Sequence, residues 1–325
     1  MRGLNMVTFN AQKTQATVQG GALISDVIAA VYAKNVQVTT GNCNCVGTLG
    51  AILGGGYGNL MGLHGFGVDN LISLQLVTPS GAFVTVTPAE SDLWWALRGA
   101  GPNFGIVTSA VMKSYSVTPE QNLAWLGPLT FTQDKIEALV QAINDLVLQS
   151  NMNIFLYYLT TGTPSYTPIV VANLFYYGSE TVGRAAFASI IAVGPSHDGT
   201  SIVPYDHWND GAASFCNKGD RKPSYGAGFF KMDPATWRAV WNEFVSFASN
   251  PAAGNSIVLM EAYSLIKART LPDSSSSFPY RSTVNFNAVA VAWYTDPNLD
   301  QEAEAFGTAA RDLWRSTDGL VANST

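Results

Sequence analysis

A cysteine-containing loop between two glycines is the first feature of this sequence that could carry chemistry. Its residues run Gly41-Asn-Cys-Asn-Cys-Val-Gly47, and the glycine cluster Gly54-Gly-Gly-Tyr-Gly58 follows seven residues later. Glycine permits positive φ and lets the backbone approach a ligand closely, because no Cβ stands in the way. A thiol acts as a nucleophile when its thiolate is accessible. The spacing therefore predicts a flat cofactor pressed against this backbone, with a cysteine as nucleophile or covalent tether.

The other cysteines and the histidines suggest neither a disulfide framework nor a metal site. The chain has three cysteines, and two of them, Cys43 and Cys45, are only two residues apart. Such a set does not build a disulfide framework. No C-x-x-C pair and no histidine at ligand spacing accompanies them, so we predict no metal site. We expect His64, His197 and His207 to be ordinary surface or loop residues.

The composition describes a globular chain without a nucleic-acid or membrane partner. The 325 residues suit two domains, and 47% hydrophobic with 12% charged residues predicts a large core. The net charge is −6 and no basic cluster is present, which argues against nucleic-acid binding. The longest apolar stretches fall far short of the roughly 20 residues of a membrane helix. The N-terminus lacks the pattern of a secretory signal, and the compartment stays undefined.

Two glycine-rich phosphate-binding motifs do not match the cluster at Gly54 to Gly58. The Rossmann fingerprint requires G-x-G-x-x-G between a strand and a helix, whereas this cluster has another spacing and follows a cysteine loop. A P-loop requires Gly-Lys-Ser/Thr, and none follows. Both nucleotide-binding interpretations are therefore disfavoured.

The elements that must position the loop change in character near residue 118. Before it, alternation predicts two strands over 5–21, and periodicity predicts a helix over 22–34 with a Ser25-Asp26 cap. A hairpin is predicted around Pro79-Ser-Gly81. After residue 118 the elements are longer. The predicted helices are 134–149, 182–193, 237–247 and 300–315, and the predicted strands are 154–159, 169–176, 256–265 and 284–294. Strands and helices with this mixed spacing predict an α+β fold.

Several motifs follow one another in an order that identifies a family resemblance. They are Cys43-Asn-Cys-Val-Gly47, Gly54-Gly-Gly-Tyr-Gly58, Asp69-Asn70, Asp92-Leu-Trp-Trp-Ala-Leu-Arg-Gly99, Asn103-Phe-Gly-Ile-Val-Thr108 and Phe278-Pro-Tyr-Arg281. Over nearly the whole chain this order resembles the berberine-bridge-enzyme-like flavoproteins of the vanillyl-alcohol-oxidase superfamily. The resemblance implies a PCMH-type FAD-binding domain over 1–118, represented by its second subdomain only. It implies a substrate-binding α+β domain over 119–325, incomplete at its C-terminus, with a large antiparallel sheet flanked by helices.

The resemblance also implies roles for individual residues. Cys43 matches the cysteine that links covalently to the flavin C6 of FAD, and Cys45 falls at a variable position, where we expect a small buried side chain. Val46 matches a residue beside the flavin that is thought to gate O2. Tyr57 matches an active-site tyrosine that polarises or deprotonates a substrate hydroxyl. The remaining implied cofactor contacts are Gly41, Asn42, Gly47, Gly54, Gly55, Gly56, Gly58, Ile106 and Val107.

This chain departs from the family pattern at its ends and at the catalytic base. The family's upstream Arg-x-Gly-Gly-His segment and its C-terminal return segment are absent, so we expect a chain truncated at both ends. Ala288, flanked by Asn287, stands where family members place a Glu or Gln. Glu261 and Tyr263 on the preceding strand are the candidate catalytic residues, with a structural role as the alternative.

The function implied by the resemblance is that of an FAD-dependent oxidoreductase of the oxidase type. It would transfer hydride from an alcohol, sugar or secondary-metabolite carbon to covalently bound flavin, with O2 as a candidate acceptor. A catalytically impaired binding or scaffold protein of the same fold is one alternative, and an aromatic-rich carbohydrate-binding module is another. We expect Trp94 and Trp95 to be core residues. Arg98 suits either a structural ion pair or support of the cofactor loop.

Overall fold

Two large antiparallel sheets and one two-stranded sheet organise the chain, whose computed structural model describes residues 1–317. Within this range the strands β1 to β15 are, in chain order, Val7–Phe9, Gln15–Gln19, Val36–Gln37, Leu71–Val77, Phe83–Val86, Ile106–Lys113, Tyr115–Ser116, Leu123–Phe131, Met152–Thr160, Pro168–Tyr176, His197–Asp198, Ser201–Pro204, Ser224–Phe229, Ile257–Tyr263 and Phe286–Val291.

The helices lie between and after these strands. In the same range the α-helices α1 to α9 are Ile24–Tyr32, Thr48–Ile52, Met61–His64, Ser91–Ala100, Ile136–Asp145, Glu180–Ala186, Ala188–Ile191, Pro234–Ala248 and Asp300–Thr317. The 3₁₀ helices are Gly67–Asn70, Gly101–Asn103, Pro119–Asn122, Gln133–Lys135, Tyr205–His207, Asp210–Cys216, Pro251–Ala253, Ala268–Thr270, Asp273–Ser275 and Pro297–Leu299. Helix α4 is interrupted near its end, because Arg98 and Gly99 leave the helical region of φ and ψ.

The first sheet has the strand order β1-β2-β6-β4-β5. The predicted hairpins β1–β2 and β4–β5 are both confirmed. Helix α1 was predicted with a Ser25-Asp26 cap, but the residue before its first turn is Leu23. The Asp26 carboxylate accepts a 2.9 Å hydrogen bond from the Leu23 N–H, so the acid still stabilises this terminus.

The second sheet has the order β11-β8-β10-β9-β14-β15-β13, with β12 also pairing with β8. Side chains alternate between its two faces, as a pleated strand requires. Leu156 and Met260 pack in the core with α5, α8 and α9, whereas Phe155 and Tyr263 pack in the core that includes the first sheet. The second face of this sheet is therefore where the two halves of the chain meet.

The division between the halves follows the sheets. Strands of the first sheet end before residue 118, and strands of the second begin after residue 122. The predicted α+β class with a large antiparallel sheet flanked by helices is confirmed. The last eight residues of the predicted second domain, 318–325, lie outside the described residues. No helix within 1–317 is both long enough and apolar enough to cross a membrane.

Several element boundaries differ from the sequence prediction. Helix α5 covers Ile136–Asp145 and ends before the predicted 149, because Leu146 is extended. The helix predicted over 182–193 is two helices that meet at Phe187. Strand β8 was not predicted. It contains Gly127, with φ of +141°, followed by Pro128, and both residues weaken the alternating signal of a strand.

Candidate active site

The cysteine loop 41–47 is anchored on the N-terminus of α1. The carbonyl of Val46 accepts a hydrogen bond of 2.9 Å from the Ile24 N–H, and the carbonyl of Asn44 accepts one of 3.1 Å from the Ser25 N–H. The first N–H groups of a helix have no partner within it. The two loop carbonyls therefore accept hydrogen bonds from these N–H groups, and the same bonds hold the loop backbone in place. Asn209, from the second half of the chain, donates to the carbonyl of Gly41 at 3.3 Å.

Gly56 and Gly58 of the glycine cluster are required by close packing of the protein on itself. Gly56 has φ of +81°, and a Cβ there would lie 2.8 Å from the Cα of Gly67. A Cβ on Gly58 would overlap the carbonyl oxygen of Thr40, the residue that directly precedes the cysteine loop. These residues bring the glycine cluster and the cysteine loop side by side.

The other predicted cofactor contacts in this region divide into exposed residues and packed ones. Gly47 is exposed, and a Cβ there would meet nothing within 4 Å. Gly54 is exposed too, and Val46 keeps 40% of its surface accessible. Gly41 is half-buried, and Gly55 is buried and faces the ring of Phe278. The open positions leave room for a ligand along one side of the loop.

Two of the motifs in the resemblance meet in a buried ion pair. The guanidinium of Arg281 contacts both carboxylate oxygens of Asp69, with 2.7 Å between Nη1 and Oδ2. Asp69 also accepts from the Phe66 N–H at 3.0 Å, and Arg281 donates to the Ala268 carbonyl at 3.2 Å. The pair fixes the segment that carries Phe278, whose ring packs edge-on against Phe66.

A cluster of three tyrosines and one acid faces the first half of the chain. We define the tyrosine cluster as Tyr57, Tyr157, Glu261 and Tyr263. The rings of Tyr57 and Tyr263 lie 5.5 Å apart. The Tyr263 hydroxyl donates to Oε1 of Glu261 at 3.0 Å and accepts from Nδ2 of Asn42 at 2.9 Å. The structure thus brings the three predicted catalytic residues together with one residue of the cysteine loop.

Burial shifts the titration of this cluster. It raises the pKa of Glu261 to about 7, opposed by the hydrogen bond from Tyr263. It raises the pKa of Tyr57 to about 12, and it raises those of Tyr157 and Tyr263 above their usual value. Near neutral pH the tyrosines therefore keep their protons, whereas Glu261 exchanges its proton readily.

The polar residue that β15 contributes to the site is Asn287, and not the residue at position 288, where the family pattern led us to look for it. Ala288 is buried and packs towards the helices, whereas its neighbour Asn287 lies opposite Glu261 in the β14–β15 pairing. The Asn287 side chain hydrogen-bonds to Tyr57 and opposes the burial that raises the pKa of that tyrosine. Asn287 was noted only as a flanking residue. The period-2 pattern of the strand already indicated that it shares a face with the site.

The prediction for Cys45 was wrong, because this residue is exposed and forms a disulfide with Cys216. The two are 171 residues apart in sequence, so local spacing held no signal of their pairing. Cys43 is the free cysteine of the three. The three sulfur atoms lie together, but those of Cys45 and Cys216 are bonded to each other in the disulfide.

The disulfide also brings an unpredicted aromatic residue to the site. Phe215 precedes Cys216 on the 3₁₀ helix Asp210–Cys216 and stacks on Tyr157, with ring centroids 6.2 Å apart and 21° between the planes. A lone phenylalanine in a polar stretch carried no pattern from which this contact follows. Phe215 adds an aromatic side chain beside the tyrosine cluster.

The predicted contacts at the start of β6 belong to the first sheet. Val107 is buried and pairs with Leu76, whereas Ile106 is exposed. Neither belongs to the tyrosine cluster.

The tryptophans, the arginine and one of the histidines considered in the sequence make contacts that support the fold. Trp94 is buried as expected, but Trp95 is exposed and donates to the Ser274 carbonyl at 3.0 Å. Arg98 donates to the carbonyl of Ser275 and stands over the Trp94 ring, so its described contacts are structural but are not the predicted ion pair with an acid. His64 is half-buried at the end of α3 and stacks on Tyr115, and burial lowers its pKa to about 4.

Comparisons with known proteins agree with this geometry. Residues 1–87 match the model of an FAD binding domain. FAD-linked oxidoreductase azaL of Aspergillus niger is 30% identical over 97% of this chain and 69% of its own length. The chain belongs to the FAD-linked oxidoreductases. FAD-linked oxidoreductase hasG of Aspergillus fumigatus is also 30% identical, over 96% of this chain and 68% of its own length. The chain thus spans about two thirds of the length of these relatives.

Solved structures share the fold. The Physcomitrella patens BBE-like 1 protein has a TM-score of 0.81 at 18% identity, covering 97% of this chain and 70% of that one. A xylooligosaccharide oxidase from Myceliophthora thermophila, solved with xylobiose, has a TM-score of 0.81 at 19% identity, covering 97% and 69%. The resemblance to berberine-bridge-enzyme-like flavoproteins is therefore confirmed for the fold.

The residues around the loop fit the cofactor of this family. A tether requires a free, partly accessible thiol, and Cys43 is free and half-buried. A flat ring requires space beside the backbone, and a Cβ on Gly47 would meet nothing within 4 Å. The tyrosine cluster adds polar and aromatic side chains next to the loop, which it contacts through the Asn42–Tyr263 hydrogen bond.

Proposed function

We propose that this chain is the flavin- and substrate-facing part of an FAD-dependent oxidase with a covalent tether at Cys43. The observation that carries the proposal is the meeting of three features: the free thiol of Cys43, the Asn42–Tyr263 hydrogen bond of 2.9 Å and the half-buried Glu261. Bound FAD supplies a two-electron acceptor for substrate oxidation. The division into an FAD-binding domain over 1–118 and a substrate domain over 119–325 is part of this proposal.

Glu261 is the proposed general base. A base works best when its pKa lies near the operating pH, and burial brings the pKa of Glu261 to about 7. Its Oε1 is held by the Tyr263 hydroxyl. In the proposed step the carboxylate takes the proton from a substrate hydroxyl while the carbon loses hydride. Tyr263 stabilises the carboxylate before the transfer.

Tyr57 and Asn287 are proposed to orient the substrate hydroxyl. With a pKa of about 12, Tyr57 is a proton donor at neutral pH, so polarising a hydroxyl fits it better than deprotonating one. Phe66 and Phe278 pack against its ring at centroid distances of 5.1 and 5.8 Å.

The proposed backbone contacts of FAD are Gly41, Gly47, Gly54, Gly55, Gly56, Gly58, Ile106 and Val107. Val46, exposed beside Cys43, is the proposed residue at which O2 approaches as acceptor.

The substrate is proposed to be a small uncharged alcohol, a sugar or a secondary-metabolite carbon. Among the described side chains, the tyrosine cluster contains no cation, and aromatic rings from Tyr57, Tyr157 and Phe215 surround it. An uncharged hydroxyl compound suits such walls, because a substrate anion would lack a counter-charge there.

The tether is tested by colour after acid denaturation of the purified protein supplied with FAD. Wild type is expected to stay yellow, whereas Cys43→Ala is expected to release its flavin into the supernatant. Cys216→Ala serves as the control, since it removes another cysteine of the same group and retains Cys43. A colourless wild-type pellet would refute the covalent tether and favour the alternative of a catalytically impaired scaffold.

The base is tested by anaerobic bleaching of bound flavin with panels of alcohols and sugars. Glu261→Gln is expected to keep its acid-stable flavin and to lower the bleaching rate about 10²- to 10⁴-fold. Tyr294→Phe, remote from the cluster, is the control. Equal rates in Glu261→Gln and wild type would exclude Glu261 as the base.

A further inference from the structure

The sulfur atoms of three cysteines form one group beside the proposed flavin tether. Cys43 Sγ lies 3.6 Å from Cys45 Sγ and 3.8 Å from Cys216 Sγ, while the latter two are joined as a disulfide. Cys43 and Cys216 are half-buried and Cys45 is exposed. A free thiol is thus in contact with both atoms of a disulfide that solvent also reaches.

We propose that Cys43, Cys45 and Cys216 form an intramolecular thiol–disulfide exchange site that controls whether Cys43 is free. The inference rests on the proposed function in one respect, since a free Cys43 matters because it is the proposed tether. The exchange itself depends only on the three sulfur atoms.

The exchange step is balanced without an external oxidant or reductant. Cys43 loses its proton to solvent, and its thiolate forms a bond with Cys216 Sγ. The Cys45–Cys216 bond breaks, and Cys45 leaves with the electron pair and takes up a proton. One disulfide is present before and after the step. Attack by a thiolate on a disulfide sulfur is the general route of such rearrangements.

The starting geometry requires one rotation before attack. Cys43 Sγ is nearly equidistant from the two bonded sulfur atoms, so it faces the side of the disulfide instead of lying on its extension. In-line approach to Cys216 requires a change of χ1 at one cysteine. Side-chain rotations of exposed residues take picoseconds to nanoseconds, whereas disulfide reshuffling takes seconds to hours. The chemical step therefore sets the rate.

Of the two exchange products, the Cys43–Cys216 pair is the one that preserves the fold. It keeps the segment 210–216 tied to the cysteine loop, so Phe215 stays beside Tyr157. A Cys43–Cys45 bond would instead close a ring of three residues and release that segment. The cysteine loop is fixed on α1 by the hydrogen bonds to Ile24 and Ser25, which resist the distortion that so small a ring demands.

The pairing state has a direct consequence for the proposed cofactor. With Cys45–Cys216 paired, Cys43 is a free thiol and available for a thioether bond. With Cys43–Cys216 paired, Cys43 is blocked and Cys45 becomes the free thiol. Cys45 is exposed and two residues along the loop, so it does not replace Cys43 at the same position.

The first test maps the disulfides of flavin-free protein. The protein is incubated at pH 8 in a glutathione redox buffer, quenched with acid and alkylated with N-ethylmaleimide, and tandem mass spectra locate the alkylated cysteine. We expect both Cys45–Cys216 and Cys43–Cys216 pairs in the same sample. Alkylation of Cys43 in every molecule, at all incubation times, would overturn the proposal.

Two matched variants isolate the exchange partner. Cys45→Ser is expected to form the Cys43–Cys216 bond in the same buffer, which leaves no cysteine to alkylate. Cys43→Ser is expected to keep the Cys45–Cys216 bond, and it shows that the segment still folds. Alkylation of both Cys43 and Cys216 in Cys45→Ser would contradict the proposal even if this variant is less stable, because Cys43→Ser reports folding separately.

The link to the cofactor is measured as acid-stable flavin per chain. Cys45→Ser is expected to carry several-fold less than wild type, and prior treatment with a phosphine reductant is expected to restore it. Equal loading of Cys45→Ser and wild type would overturn the control of the tether. Absence of acid-stable flavin from wild type would refute the proposed tether but not the exchange. The exchange is tested by the peptide maps, which are measured on flavin-free protein.

Discussion

The Tyr263 hydroxyl donates a hydrogen bond of 3.0 Å to Oε1 of Glu261 and accepts one of 2.9 Å from Asn42. Asn42 in turn accepts from the Asn59 N–H at 3.1 Å. The Tyr263 hydroxyl therefore joins Asn42 of the cysteine loop to the half-buried Glu261 on β14, and Asn42 extends this network to Asn59. Because Asn42 is adjacent to Cys43, these hydrogen bonds connect the predicted tether to the proposed base through Tyr263.

Breaking the buried Asp69–Arg281 pair is expected to destabilise the protein strongly. Asp69→Asn leaves Arg281, only 1% exposed, without its counter-charge. Removal of one partner of a buried pair typically costs about 3–5 kcal/mol of the free energy of unfolding. Urea unfolding followed by tryptophan fluorescence measures this loss.

The control for that experiment is an exposed ion pair of the same chemistry. Arg221 and Asp300 are both about half exposed, with 3.2 Å between them, so Arg221→Ala is expected to cost only about 0–1 kcal/mol. A similar loss of unfolding free energy in both variants would mean that the contribution of the Asp69–Arg281 pair to stability does not depend on its burial.

Substituting Gly58 is expected to separate the glycine cluster from the cysteine loop. A Cβ at this position overlaps the Thr40 carbonyl, so Gly58→Ala forces a backbone shift and costs more than about 1 kcal/mol. Gly50→Ala is the matched control, because Gly50 is exposed within α2 and its Cβ meets nothing within 4 Å. That control is expected to stabilise by about 0.4–1 kcal/mol. Thermal melting compares the two, and an unchanged midpoint for Gly58→Ala contradicts the packing described.

Much of this architecture was predictable from local pattern, and the failures share a physical cause. The hairpins and the helix over 237–247 follow from periodicity and turn residues, both of which are local. The Cys45–Cys216 bond and the Phe215–Tyr157 stack join residues far apart in sequence, and no spacing encodes them. A single sequence therefore predicted many of the local elements around the cysteine loop, but not the segment 210–216 that the disulfide joins to it.

The pH dependence of stability offers a measurement of Glu261 that needs no cofactor. Its pKa is raised from 4.5 in the unfolded chain to about 7 by burial. The protonated form is favoured in the folded state, so its stabilising contribution is complete below pH 4.5 and is lost as the pH rises through 7. Wild type is expected to lose roughly 1–3 kcal/mol between pH 5 and pH 8 from this group.

Glu261→Gln isolates that contribution from other titrating groups. His64, whose pKa is lowered to about 4, favours folding as the pH rises, and it is present in both proteins. The difference between wild type and Glu261→Gln in urea unfolding therefore reports Glu261 alone. A difference that does not change between pH 5 and pH 8 would show that this carboxyl titrates normally.

Removing the Tyr263 hydroxyl is expected to raise the pKa of Glu261 further. Burial is the main cause of the raised pKa, and the hydrogen bond from Tyr263 opposes it by stabilising the carboxylate. Tyr263→Phe removes that bond, so the proton is expected to leave at a pH above 7. Difference infrared spectroscopy of the protonated carboxyl measures this midpoint, with Glu261→Gln identifying the band. Tyr294→Phe removes a hydroxyl that hydrogen-bonds to Asp300 instead, and it is expected to leave the midpoint unchanged. A midpoint that falls in Tyr263→Phe would mean that the hydroxyl stabilises the protonated acid, and Glu261 would then be poised as a proton donor.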